Sequence, residues 1–193
     1  MTLALILAST SPFRRELLMR LQVDFRQDSP ETDETPRANE SAEQLCQRLA
    51  IAKAHALSEK YPQHLIIGSD QVATFHGKII GKPITHVNAV QQLTDFSGHT
   101  VEFYTGLCLL NTVTGVFQHH VECFKVHFRI LSTEQIERYL HVEQPYQCAG
   151  SFKSEGLGIC LFDRLEGNDP SSLIGLPLIK LVSMLQNEGV YIP

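Results

Sequence analysis

Apolar positions along the chain fall into short unbroken runs and helical stripes. Leu3 to Ala8 is apolar throughout and short enough to be a buried strand. S-T-S at 9–11 turns the chain, and Pro12 predicts the first position of a helix capped by Ser11, with Leu17, Leu18 and Leu21 at helical spacing. Val23 to Gln27 reads as a short strand. Ser41 to Lys60 reads as a strong helix with an apolar stripe of Leu45, Leu49, Ala52 and Ala56. Lys53, four after Leu49, lies beside that stripe, the place of a snorkelling lysine. In His64 to Phe75, Leu65 to Ile67 is a buried strand, G-S-D-Q at 68–71 interrupts it, and Val72 to Phe75 resumes it. His76-Gly77 is a tight turn and Lys78 to Gly81 runs back, setting Lys82 opposite Gln71, one step from Asp70; a bulge would bring it to the same face.

Further on, His86 to Phe96 is helical, and Val101 to Asn111 with Val116 to Ile130 forms a long hairpin. Its apolar phase slips at Cys123-Phe124, which predicts a bulge there. A helix starts at Ser132, runs to about Val142 and is ended by Pro145. Residues 149–158 are glycine-rich and aperiodic, the composition of a site-bearing loop. Ile159 to Leu165 is a strand candidate, and a last helix from Ser171 to Asn187 is broken or kinked by G-L-P at 175–177.

Composition narrows the class. With 193 residues, 43% of them apolar, the chain can bury a core as one large domain or two small lobes. A net charge of −5 argues against a sequence-independent nucleic-acid binder but leaves room for a local basic site. The five cysteines (Cys46, Cys108, Cys123, Cys148, Cys160) are odd in number and none form C-x-x-C, which points to reduced thiols in the cytoplasm. Nine histidines show neither H-x-x-x-H nor H-E-x-x-H spacing. No apolar run approaches the 18 residues of a membrane span, and Leu3 to Ala8 lacks the charged flank of a signal peptide.

Three places stand out chemically. Arg14 and Arg15 occupy a first helical turn, where the macrodipole disfavours cations. A bound phosphate would reverse that balance; otherwise both side chains point to solvent. The acidic stretch 28–36 carries Asp28, Glu31, Asp33 and Glu34, either as a solvated loop or with one acid facing the anion site to hold a cation there. Asp70 lies within an apolar strand, where an unpaired carboxylate is costly. With Lys82 it forms either a structural ion pair or a metal-binding or basic carboxylate beside a phosphate-binding lysine.

The set A-S-T-S-P-F-R-R at 8–15, E-T-D-E-T-P at 31–36, A-K-A at 52–54, G-S-D-Q-V at 68–72, G-K-P at 81–83, A-G-S-F-K-S-E-G at 149–156 and G-L-P-L at 175–178 resembles the Maf family of nucleotide pyrophosphatases. The motifs run in family order across nearly the whole chain, and the closest likeness is to the subfamily acting on 7-methyl-GTP. The resemblance implies a single α/β domain over 1–193: two lobes, a long mixed β-sheet flanked by helices, a central cleft, and a relation to inosine triphosphate pyrophosphatases. It also implies homodimers, a nucleotide substrate and a divalent cation (Mg²⁺, Mn²⁺ or Co²⁺). Carried residue by residue, the pattern gives substrate contacts from Ser9, Ser11, Phe13, Arg14, Lys53, Gln71, Lys82 and Glu155, metal contacts from Glu34 and Asp70, and catalysis by Asp70. Arg15 is less firmly carried, because members vary there.

In the pyrimidine-specific branch the positions of Phe13, Gln71 and Glu155 are typically arginine, threonine and glutamine. The cationic ring of 7-methylguanine stacks well on phenylalanine, and a carboxylate accepts both N1–H and N2–H. Phe13 and Glu155 therefore favour that base; otherwise Phe13 packs in the core and Glu155 is solvated. The other readings are a pyrophosphatase for UTP, dTTP or another modified nucleotide, and a nucleotide-binding regulator of septum formation.

Overall fold

The computed structural model describes residues 3–192. Its chain order begins β1 (Ala4–Ala8), α1 (Pro12–Met19), β2 (Phe25–Asp28), α2 (Ala42–Ala56), β3 (His64–Phe75) and β4 (Lys78–Ile80). It continues α3 (His86–Phe96), β5 (Thr100–Asn111), β6 (Phe117–Phe128), α4 (Thr133–Glu143), β7 (Phe162–Glu166), α5 (Pro170–Ile174) and α6 (Leu178–Asn187). The strands form one mixed seven-stranded sheet in the order β2-β1-β3-β5-β6-β7, with β4 on β3. β1 pairs in parallel with β2 and β3, whereas β3/β4 and β6/β7 are antiparallel. The chain divides into two compact units, 1–71 with 104–122 and 169–193, and 72–103 with 123–168.

In the first unit the sheet is covered on both faces, which is why β1 reads as an unbroken apolar run. Leu5, Leu7, Leu65, Ile67, Leu107 and Leu109 pack with Leu17 and Leu18 of α1 and with Leu181, Met184 and Leu185 of α6. The alternate residues Ile6, Ala8, Ile66, Cys108 and Leu110 pack with Ala50 and Ala54 of α2. α2 presses closely because the sheet offers glycine beneath it. A Cβ on Gly68 would lie 2.1 Å from the Ala50 carbonyl oxygen, and one on Gly106 2.3 Å from that of Cys46.

α1 begins as the sequence predicts, with Ser11 accepting from the Arg14 amide and Pro12 opening the helix. α2 has Ser41 and Gln44 as a reciprocal capping box, but it ends at Ala56, short of Lys60. Its buried face is Ala42, Leu45, Cys46, Leu49, Ala50, Lys53 and Ala54; Ala56, assigned to the stripe from the sequence, is exposed. Lys53 is therefore on the buried face and does not snorkel. β3 is continuous through 68–71, contrary to the predicted interruption, because each polar side chain there has a partner. β2 starts later than Val23 and takes in Asp28, whose carboxylate is held by Lys60 and Tyr61.

The second unit is packed on phenylalanine. Phe152 lies 5.3 Å from Phe103, 5.8 Å from Phe128 and 4.9 Å from Phe162, all edge-on. The turn at His76-Gly77 is two residues long, with both at positive φ. Its ladder ends at the Ala73–Ile80 pair, so Lys82 lies beyond β4 and is exposed. β7 starts at Phe162, because Leu157–Leu161 is a 3₁₀ turn, not the first part of a strand. The register irregularity of β6 that faces β7 is at His127/Phe128. The last helix is divided, as predicted, into α5 and α6 around Gly175.

Candidate active site

Strand alternation sorts the polar residues of β3. Gly68 and Asp70 face α2, while Ser69 and Gln71 face the opposite side of the sheet. Gly68 admits the α2 backbone, and one turn further along that helix Lys53 meets Asp70.

The Lys53 Nζ lies 2.6 Å from Asp70 Oδ1 and 2.7 Å from Glu34 Oε1. Lys53 and Asp70 are 7% and 8% exposed, so their pair is shielded from water, whereas the Glu34 side chain is 59% exposed. The ammonium that meets Asp70 is thus Lys53's, where the sequence suggested Lys82's. Burial raises the Asp70 pKa above its ordinary 3.8; Lys53, by charge and hydrogen bond, and then Arg14 oppose that shift.

Opposite Asp70's face, the loop before α1 is ordered by its own hydrogen bonds. Ser9 Oγ accepts from the Ser11 amide at 3.1 Å and from Arg14 Nη1 at 3.4 Å. Arg14 Nε donates to the Gly175 carbonyl at 2.8 Å, which turns the guanidinium back over the loop. Gly175 has φ +126°, a conformation that L side chains rarely adopt, and this presents its carbonyl to Arg14. Ser69 Oγ shares its proton between that carbonyl, at 2.9 Å, and the Gly106 carbonyl, at 2.8 Å. Burial pushes the Arg14 pKa down, with Asp70 and Glu34 opposing. Arg15 points to solvent. Phe13 is half-buried.

The Nε2 of Gln71 is held within the protein: it lies 2.9 Å from the Ser172 carbonyl, 3.0 Å from that of Leu173 and 3.1 Å from Thr105 Oγ1. Thr105 also donates to Ser172 at 2.9 Å. Lys82 and Glu155 are exposed residues of the second unit. Both are close enough to Cys148 for their charges to act on its thiol, which burial pushes up to about 11. Lys153, between these motif residues in sequence, is held by the Glu143 carbonyl at 2.9 Å.

Sequence reasoning missed Ser69 and the Gly175 carbonyl as the groups that orient Arg14. Both lie in motifs quoted above, but nothing in a motif reveals which atoms share a proton. Glu34 and Asp70 offer hard oxygen atoms to one cation, Lys53. Two carboxylates, with the remaining positions left to water and phosphate, are the donor set that Mg²⁺ or Mn²⁺ takes. Among the described residues no larger cluster of His, Cys, Asp and Glu converges. The donor set therefore fits a divalent ion held jointly with a substrate and does not fit a self-sufficient metal cage.

A family model described as Maf-like protein matches residues 4–188. A 7-methyl-GTP pyrophosphatase from Pseudomonas savastanoi pv. phaseolicola (strain 1448A / Race 6) is 58% identical over 192 residues, covering 98% of this chain and 99% of the relative. A crystal structure of a Vibrio cholerae protein gives a looser likeness: a TM-score of 0.44 at 10% identity over 99% of each chain. With the family match spanning the capped α1 loop, the acidic loop and β3 alike, this chain belongs to the Maf family.

Proposed function

We propose that this protein is a metal-dependent nucleoside triphosphate pyrophosphatase that hydrolyses 7-methyl-GTP to 7-methyl-GMP and pyrophosphate. The observation that carries the proposal is the 58% identity, over nearly the full length of both chains, to a 7-methyl-GTP pyrophosphatase. The site chemistry supports it. Serine hydroxyls, the first amides of α1 and the Arg14 guanidinium suit a polyphosphate.

The water oxygen forms a bond to the α-phosphorus while the bond from that phosphorus to the α–β bridging oxygen breaks. Asp70 takes the water's proton, and burial makes its carboxylate a stronger base than an exposed one. The bridging oxygen leaves on pyrophosphate, its charge balanced by Arg14, Lys53 and Lys82. Ser9 and Ser11 take phosphate contacts, and Gln71 fixes the β3 backbone beside Asp70. A bound Mg²⁺, Mn²⁺ or Co²⁺ supplies Lewis-acid charge neutralisation at the phosphate, with Glu34 and Asp70 holding it. Phe13 stacks on the base and Glu155 accepts its N–H donors.

The test is a hydrolysis panel of 7-methyl-GTP, GTP, UTP, dTTP and CTP with each metal, resolving monophosphate plus pyrophosphate from diphosphate plus phosphate. Selective release of 7-methyl-GMP and pyrophosphate is expected. Preference for UTP or dTTP would keep the mechanism and discard the base assignment. Binding without turnover would point instead to a regulatory nucleotide sensor.

A further inference from the structure

Residues 29–40, which carry Glu34, form neither helix nor strand. A segment without a ladder must be fixed by other contacts if one of its side chains is to stay at a site. Two cationic residues of α2 provide them. Lys53 takes the Glu34 carboxylate at 2.7 Å. Five residues earlier, Arg48 takes the backbone carbonyl of the next residue, Thr35, with Nη2 at 3.1 Å. The same guanidinium grips Glu40, at the far end of the segment, through Nε at 2.6 Å and Nη2 at 2.8 Å. Glu40 in turn accepts from the Arg37 amide at 2.9 Å, and Asp33 from the Thr35 amide at 2.9 Å.

The two grips differ in what the reaction does to them. Lys53 is needed at phosphate, and when it turns there it loosens its hold on Glu34. Arg48 is the contact beside Glu34 that the chemistry leaves in place. A planar fork that binds a carboxylate bidentately and a carbonyl with the same Nη is a fixed clasp, which a single ammonium cannot reproduce.

We propose that Arg48 is a positioning residue for the reaction: it clasps the acidic segment to α2 at Thr35 and Glu40, so that the Glu34 carboxylate stays beside Asp70 while Lys53 exchanges partners. The inference rests on the hydrolysis proposed above and adds a residue outside the family motifs.

The test compares wild type, Arg48→Gln, Arg48→Lys, Glu34→Gln and the Glu34→Gln/Arg48→Gln double variant. Rates of 7-methyl-GTP hydrolysis are measured across an Mn²⁺ titration, and hydrogen exchange of the 33–38 amides is followed without nucleotide. Arg48→Gln should raise the Mn²⁺ needed for half-maximal rate by about tenfold or more, with the rate recovering at saturating Mn²⁺. Exchange at 33–38 should accelerate. Arg48→Lys should fall between the two, and it provides the comparison if Arg48→Gln fails to fold. In the Glu34→Gln background, Arg48→Gln should add nothing to the metal requirement. An unchanged Mn²⁺ requirement, or an equal effect with Glu34 already removed, would overturn the proposal. If wild type turns over no nucleotide, the proposed hydrolysis has failed, and the exchange measurement alone decides whether the clasp exists: unchanged exchange in Arg48→Gln refutes it.

Discussion

Removing Lys53 should destabilise the protein more than removing Asp70, although each deletes the same 2.6 Å ion pair. The reason is what each change leaves behind. Lys53→Met leaves a carboxylate that is 8% exposed and has lost its hydrogen-bonding ammonium. Breaking a buried pair this way costs about 3–5 kcal/mol. Arg14 still lowers the Asp70 pKa by its charge, which places the expected loss in the lower half of that range, about 3–4 kcal/mol. Asp70→Asn leaves Lys53 with Glu34 at 2.7 Å and an amide oxygen in place of the carboxylate. Its loss is that of one charge-assisted hydrogen bond, about 1.5–3 kcal/mol.

The Lys53→Met penalty is also pH-dependent, with a definite sign. An acid whose folded pKa is raised above its unfolded 3.8 stabilises the fold most below that value, and the benefit is lost as pH rises through the folded pKa. Without Lys53 that pKa rises further, so the penalty should be larger at pH 8 than at pH 5. Urea unfolding of wild type, both single variants and the double variant at those two pH values measures this. The double variant should recover part of the Lys53→Met loss, since no buried charge remains unpaired. Equal losses for the two single variants, or a Lys53→Met loss that grows as pH falls, would refute the reasoning.

Asp70→Asn should keep the fold but lower kcat at least about a hundredfold in the hydrolysis assay, and activity near wild type would remove Asp70 as the base. Gly68→Ala should cost about 3 kcal/mol or more, the upper end of overpacking, because the new Cβ would meet backbone of α2 at 2.1 Å; a urea midpoint near wild type would contradict that close approach. Glu155→Gln should lose its preference for 7-methyl-GTP over UTP in competition assays, and retention of full preference would take Glu155 out of base reading. Hydrogen bonds from Arg48, and then the Arg37 amide, hold the Glu40 pKa down at about 2. Its contribution is present above the unfolded value of 4.5 and is lost as pH falls through about 2. The stability gap between wild type and Glu40→Gln should therefore be full at pH 6 and narrow by pH 3; a constant gap in urea midpoints would count against it.

Much of the scaffold is legible in the chain because local rules fix it. Ser11-Pro12, Ser41 with Gln44 and Ser132 with Gln135 start helices by satisfying their own first amides, and no distant residue is needed. The apolar run of β1 announces a strand covered on both faces, and His76-Gly77 announces a two-residue turn. The family motifs locate Ser9, Arg14, Glu34, Lys53 and Asp70 as a set worth examining.

Tertiary structure decides which of these residues meet. Glycine at 68 and 106 lets α2 settle onto the sheet, and that rotates Lys53 from beside the stripe onto Asp70. The same packing exposes Ala56, which the periodicity had placed inside. G-S-D-Q reads as an interruption because its side chains are polar. It continues the strand because Lys53, Gly106, Gly175, Thr105 and Ser172 satisfy them, and each of these lies at least 17 residues away in sequence. Caps, turns and periodicity are interactions of neighbours and so are written in order along the chain. An ion pair, a shared carbonyl or a clasp on a loop depends on where separate elements stop rotating against one another, and packing alone fixes that.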